Sequence, residues 1–169
     1  MSTPASRLKA YLASPMGFSE VTDHFMRTVY VPRLKAAGVN PINPWDLTTK
    51  EEVDAVLGMP ISPERLKAIR ELHRTIGMRN KTAIVMCPVV IAQLDGQEMD
   101  SGTVGEVGWA AGRGKVVYGW RSDFRKNGEE GALCNLQVQF FIEESGGRIF
   151  NTLDELCDEL KRFQRMFGA

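Results

Sequence analysis

Val89-Val-Ile-Ala-Gln-Leu94 is followed at once by Asp95-Gly96, and then by Ser101-Gly-Thr-Val-Gly-Glu-Val-Gly-Trp-Ala-Ala111. A run that is apolar but for Gln93 and is closed by Asp-Gly reads as a strand covered on both faces, the habit of parallel sheets whose crossovers are helices. The stretch after it reads as a helix opened by Ser101 and stopped by Gly112 to Gly114. The same alternation extends in both directions. Leu8 to Ala13 is a compact first strand ending in Ser14-Pro15-Met16-Gly17, and Ser19 caps a helix carrying Val21, Phe25, Val29 and Leu34 up to Gly38. Val39 to Asn43 is a second strand, cut off by Pro44-Trp45-Asp46. A long polar connection follows, and Ser62-Pro63 opens a helix that runs to about Met86, with Gly77 as a point where it could break. Val116 to Trp120 is strand four, and a charged loop runs from Arg121 to Gly131. Leu133 to Glu144 is helical, Arg148 to Phe150 a short fifth strand, and Thr152 to Phe163 a terminal helix.

Strands alternating with helices in this way predict an α/β fold: a doubly wound five-stranded parallel sheet of flavodoxin-like (Rossmann-like) order in a three-layer sandwich. No internal repeat or linker divides residues 1–169, so one domain is expected. In such sheets the ligand crevice lies beyond the carboxyl ends of the strands. The places to look are therefore Ser14 to Ser19, Asn43 to Asp46, Asp95 to Glu106, and the loop from Arg121 onward.

Composition narrows the function classes. Lys and Arg number 21 and Asp and Glu 21, a formal net charge of zero. That balance gives no reason to expect a nucleic-acid polymer or an anionic membrane as partner, since both select a basic surplus. No apolar stretch approaches the ~20 residues of a membrane helix, and Met1 to Arg7 is polar with no signal core behind it, so a cytoplasmic protein is expected. Cys87, Cys134 and Cys157 have no pairing or metal-ligand spacing and read as reduced thiols, two of them buried. His24 and His73 fall within helical patterns and carry no assignment.

Chemistry concentrates between Asp95 and Glu106. With Ser101 as cap, Glu106 lies in the second turn of an otherwise small and apolar helix, and its side chain leans back over Gly102, which leaves the way to the crevice open. On the residues alone the ordinary reading of Glu106 is a solvated helix charge, and of Asp100 a turn residue. Tyr11, Phe18 and Trp45 read as readily as core aromatics.

Taken together, Leu94-Asp95-Gly96, Asp100-Ser101-Gly102-Thr103 and Glu106-Val107-Gly108-Trp109-Ala110 resemble the nucleoside 2-deoxyribosyltransferase family. Tyr11-Leu12-Ala13-Ser14-Pro15-Met16-Gly17-Phe18 resembles that family's first strand and loop, and Asn135-Leu136 its late Asn-Leu segment, with Gln137 where Met is usual. The matching segments keep the family's order from Tyr11 to Asn135. The resemblance implies that Glu106 is a nucleophile that bonds to C1′ of the sugar, as the carboxylate of a retaining glycosidase does, with Tyr11 orienting it. It implies that Phe18 and Trp45 wall the nucleobase, that Asp46 faces the base edge, and that Asp100 receives sugar hydroxyls. In related hydrolases of nucleoside 5′-monophosphates the position of Asp100 is a serine; a carboxylate accepts from a hydroxyl and repels a phosphate, so Asp100 favours nucleosides. Asn80 stands where many members carry an Asp that handles the base's proton, and an amide cannot be a general acid. Pro88 replaces a common Asp at the start of strand three.

The implied activity is transfer of a 2-deoxyribosyl group between nucleobases with no cofactor and no metal. Deoxyribonucleosides and free bases are the partners. A homo-oligomer is also implied, in which Asn135 of a neighbouring subunit completes each site. An N-glycosidase that hydrolyses deoxynucleosides or deoxynucleotides is the alternative, and a non-catalytic nucleoside-derivative sensor a further one.

Overall fold

The structure is a computed structural model and describes residues 7–125 and 129–167. Five parallel strands form one sheet in the order β2-β1-β3-β4-β5, the flavodoxin-like order expected from the alternation. The strands are β1 (Leu8–Ala13), β2 (Val39–Ile42), β3 (Val89–Gln93), β4 (Val116–Trp120) and β5 (Ile149–Phe150). β1 pairs with β2 on one side, Tyr11 opposite Ile42, and with β3 on the other, Tyr11 opposite Val90. All five residues of β3 are buried, which is why that strand reads as a nearly continuous apolar run. β2 is an edge strand and tolerates Pro41, whose missing N–H removes no ladder bond from the sheet's centre.

Side chains alternate between two cores. Ala10, Leu12, Val89, Ile91, Tyr118 and Trp120 face one layer, made by the segment Met26–Tyr30 that follows α1 (Glu20–Phe25), by α2 (Val31–Ala36) and by the terminal helix α7 (Leu153–Phe167). Tyr11, Ala13, Val90, Ala92 and Val117 face the other, made by α4 (Pro63–Met86), α5 (Ser101–Gly112) and α6 (Leu136–Glu144).

Several elements differ from the sequence reading. A five-residue π-helical turn, Met26–Tyr30, joins α1 to α2, and the buried stripe is Met26, Tyr30 and Leu34. Val21 and Phe25, the first two of the apolar residues read at helical spacing, are exposed. The polar connection after β2 contains a helix, α3 (Lys50–Leu57), held by a capping box between Thr49 and Glu52 and by the Arg79 guanidinium on both oxygens of Glu52. α4 is unbroken at Gly77. The second strand stops one residue earlier than read, α6 starts at Leu136 with Asn135 as its cap, and the last helix runs four residues further. The cap of α5 is Asp100, not Ser101: its Oδ2 accepts from the Thr103 N–H at 2.7 Å and from the Thr103 hydroxyl at 3.0 Å. All three cysteines are free and buried. No helix among the described residues is long and apolar enough to cross a membrane.

Candidate active site

β1, α4 and α5 converge on one carboxylate. Tyr11 points from the centre of the sheet toward α5, and its hydroxyl donates to Glu106 Oε1 at 2.6 Å. Asn80, from the last third of α4, donates through Nδ2 to the same oxygen at 3.4 Å. The carboxylate only accepts, so the amide end facing it is the NH₂ group, and Asn80 Oδ1 is left buried without a partner. Burial is the largest influence on Glu106 and pushes its carboxyl above the usual value; the hydrogen bonds from Tyr11 and Asn80 pull it back, and the charge of Asp100 pushes it up again. Burial, and then the Glu106 charge, hold the Tyr11 phenol far above its usual value, so it remains a donor.

A cleft of about 320 Å³ opens onto Glu106 between α4 and α5, lined by Gly77, Asn80, Lys81, Ile84, Glu106 and Trp109. Gly77, Lys81 and Ile84 carry no site signal of their own in the sequence, although helix spacing links them: Gly77 lies three before Asn80 and Ile84 four after it, and Lys81 lies four after Gly77 and three before Ile84. Trp109 stands three residues after Glu106 on α5 for the same reason, and the Arg113 guanidinium lies 5.8 Å from the centre of its ring.

The other residues expected at the site divide. Asp100 is near enough for its charge to act on Glu106, and one of its oxygens is already spent as the helix cap. A Cβ at Gly102 would stand 3.1 Å from Asp100 Oδ2, so the glycine leaves room for the capping carboxylate. Phe18 and Trp45 pack edge to face with centroids 4.6 Å apart, Phe18 being 75% exposed. They belong to the loops after β1 and β2 and are not among the residues lining the Glu106 cleft. Trp45 is fixed by its indole N–H to the Ser14 carbonyl at 3.1 Å and lies flat against Gly17, where a Cβ would meet its ring at 2.1 Å. Asp46 Oδ1 accepts from Arg27 at 2.9 Å and Oδ2 from Asn43 at 3.4 Å, and its side chain is still more than half exposed. Asn135 caps α6, its Oδ1 accepting from the N–H groups of Gln137 and Val138.

Asp95 turns away from the chemistry. Its carboxylate accepts from the Ser122 and Asp123 N–H groups at 2.6 and 2.7 Å and from the Ser122 hydroxyl at 2.7 Å. Buried Arg121 answers from the other side, donating to the carbonyls of Leu94, Gly96 and Arg125. These bonds tie the loop that carries Asp100 to the loop after β4. Nothing in the sequence around Arg121 announces this clamp. Among the described residues no group of three or more His, Cys, Asp or Glu side chains is placed to hold a metal ion.

A carboxylate held by a phenol and an amide beside an open cleft can attack an electrophilic carbon or stabilise a cationic one. Comparison with known proteins places the fold. A 2-deoxyribosyltransferase from Leishmania mexicana superposes with a TM-score of 0.63 at 20% identity, over 92% of this chain and 97% of that one. A 2-deoxyribosyltransferase from Bacillus psychrosaccharolyticus gives 0.59 at 18% identity, over 89% and 90%. A CMP N-glycosidase from Clostridium botulinum gives 0.51 at 17% identity, over 91% and 98%. At these identities the likeness is one of fold, and it includes both glycosyl-transferring and glycosidic-bond-cleaving enzymes. No protein of curated function matches the sequence. The family model described as nucleoside 2-deoxyribosyltransferase, however, matches residues 10–151, a span that holds Tyr11, Asn80, Asp100, Glu106 and Asn135, and on that match the chain belongs to the nucleoside 2-deoxyribosyltransferase family.

Proposed function

We propose that this protein moves a 2-deoxyribosyl group from one nucleobase to another through an ester of Glu106. The observation that carries the reading is the pair of donors on Glu106 Oε1, Tyr11 at 2.6 Å and Asn80 at 3.4 Å, which leaves Oε2 outside both bonds. In the first half-reaction Glu106 Oε2 bonds to C1′ while the C1′–N bond breaks, its electron pair passing to the base nitrogen. Tyr11 and Asn80 hold the carboxylate in line and take no proton. The base gains its proton from solvent, because Asn80 has none to give and Asp46 is held by Arg27. The incoming base then attacks C1′, loses its proton to solvent, and restores the Glu106 carboxylate. Asp100, with one oxygen outside its capping bonds, accepts from a sugar hydroxyl and disfavours a 5′-phosphate. The chain works as a homo-oligomer without cofactor, and Asn135 of a neighbouring subunit reaches the sugar.

Incubation of deoxyinosine with adenine, followed by chromatography, tests the proposal. Transfer predicts deoxyadenosine and hypoxanthine in equal amounts. Free deoxyribose released at one rate with or without adenine would make the protein an N-glycosidase, with water attacking the same ester. Binding of deoxyinosine without turnover would make it a sensor.

A further inference from the structure

On the face of the sheet opposite Glu106, at the carboxyl ends of β1, β3 and β4, lies a second cleft of about 520 Å³ that shares no lining residue with the first. It opens where the strand order reverses between β1 and β3, the position at which sheets of this topology take ligands. Gln93 and Trp120, paired in register at the ends of β3 and β4, both line it. They are 7% and 5% exposed, yet the Gln93 amide makes no hydrogen bond among the described residues, and Trp120 Nε1 has no partner. Trp120 Nε1, buried without a partner, carries an uncompensated loss of hydration, and the Gln93 amide beside it is free to bond a ligand in the cleft. Phe25 stacks on Trp120 with centroids 6.2 Å apart and planes 25° apart, and extends an aromatic wall to the solvent. The rim carries the carboxylates of Asp95 and Asp123, and Arg125, the one cation among the described residues that line it, is already paired with Asp123.

We propose that this cleft binds a neutral, planar heteroaromatic ring with a donor and an acceptor side by side on its edge, namely a free nucleobase. The amide of Gln93 matches such an edge with one donor and one acceptor, the ring lies along Phe25 and Trp120, and the acidic rim turns away phosphates. The choice of a nucleobase among such rings rests on the function proposed above, which releases and takes up free bases.

Calorimetric titration with adenine decides it, using protein whose Glu106 site is filled by a deoxynucleoside analogue with an uncleavable carbon–carbon glycosidic bond. One adenine should still bind per chain. Gln93→Leu, close in size, should weaken that binding at least tenfold while kcat for transfer stays within twofold; Phe25→Ala, on the surface, should weaken it as well. No binding to the filled protein, binding unchanged in both variants, or tighter binding of adenosine monophosphate than of adenine would each overturn the proposal. If the protein turns over no nucleoside, adenine titration of the parent and of the two variants still decides the cleft, because the readout is binding.

Discussion

Tyr11 and Glu106, 95 residues apart in sequence, share a 2.6 Å hydrogen bond in which a phenol that stays protonated donates to a carboxylate that burial pushes toward neutrality. Tyr11→Phe removes that donor. A hydrogen bond to a charged group is worth ~1.5–3 kcal/mol, so kcat/KM should fall about 10- to 100-fold. The bond lowers the Glu106 pKa, so its loss raises it, and the acid limb of the kcat/KM profile should move to higher pH. A pH–rate series on both proteins measures this; an unmoved acid limb would show that the phenol does not act on Glu106.

Glu106→Gln should abolish transfer and stabilise the fold. The Glu106 carboxyl titrates above its ordinary 4.5 in the folded protein, so between the two values the folded state binds more protons than the unfolded chain. Stability therefore falls as pH rises through that window. Gln lacks this cost, so at pH 7 the variant should melt about 2–4 °C higher, ~1 kcal/mol in a chain of this size, with the advantage gone below about pH 4. Thermal scans at pH 4 and pH 7 check it.

Asp100 has two separable duties. Asp100→Ser keeps an oxygen for the Thr103 N–H, so stability should change by less than ~0.5 kcal/mol, while Asp100→Ala should cost ~1 kcal/mol. Both variants remove the charge beside Glu106 and should lower the ratio of kcat/KM for deoxynucleoside over its 5′-monophosphate by about tenfold. A parent enzyme that already prefers monophosphates would contradict the argument from charge.

Gly17→Ala places a methyl group inside the Trp45 ring, so the indole must tilt off the Ser14 carbonyl. The expected cost is ~1–3 kcal/mol in urea melts. On the reading that Trp45 and Phe18 wall the base and do not touch the reacting carbon, KM for the nucleoside should rise more than kcat falls.

Asn135 is tested by mixing. Asn135→Ser retains an N-cap for α6, so the fold should be kept while the residue offered to a neighbour is lost. Mixed with Glu106→Ala and allowed to exchange, it should restore roughly a quarter of parental activity for random pairing in a dimer. The exposed side chains of Leu133, Leu136 and Phe140 are the surface such a partner would cover. A strictly monomeric protein by light scattering would remove Asn135 from the site.

The sheet is legible in the sequence because buried parallel strands are apolar over nearly all their length: β3, polar only at Gln93, and β4 stand out against the polar loops that close them. α3 is not, since none of its residues is buried; its stability lies in the Thr49–Glu52 box and the Arg79 pair, which leave no apolar period. The stripe of the first helix is hidden for a different cause, the π-helical turn having shifted the periodicity so that Met26, Tyr30 and Leu34 face inward in place of Val21 and Phe25. At the site, the approach of Tyr11 to Glu106 is legible through resemblance and not through spacing, because no local pattern links a strand to a helix so far along the chain. The clamp between Asp95 and Arg121 leaves no trace at all, as backbone carbonyls and N–H groups supply most of its partners.

The placement of β1 between β2 and β3 has a consequence for synthesis on the ribosome. Its pairing with β2 joins near neighbours, whereas Tyr11 meets Val90 only after the whole of α3 and α4 has been made. Until β3 emerges, the nascent chain holds at most a two-stranded parallel ribbon with an open apolar edge, the kind of intermediate that chaperones bind and proteases cut. Glu106 comes later still, so no truncated product ending before α5 can carry the carboxylate that Tyr11 and Asn80 hold.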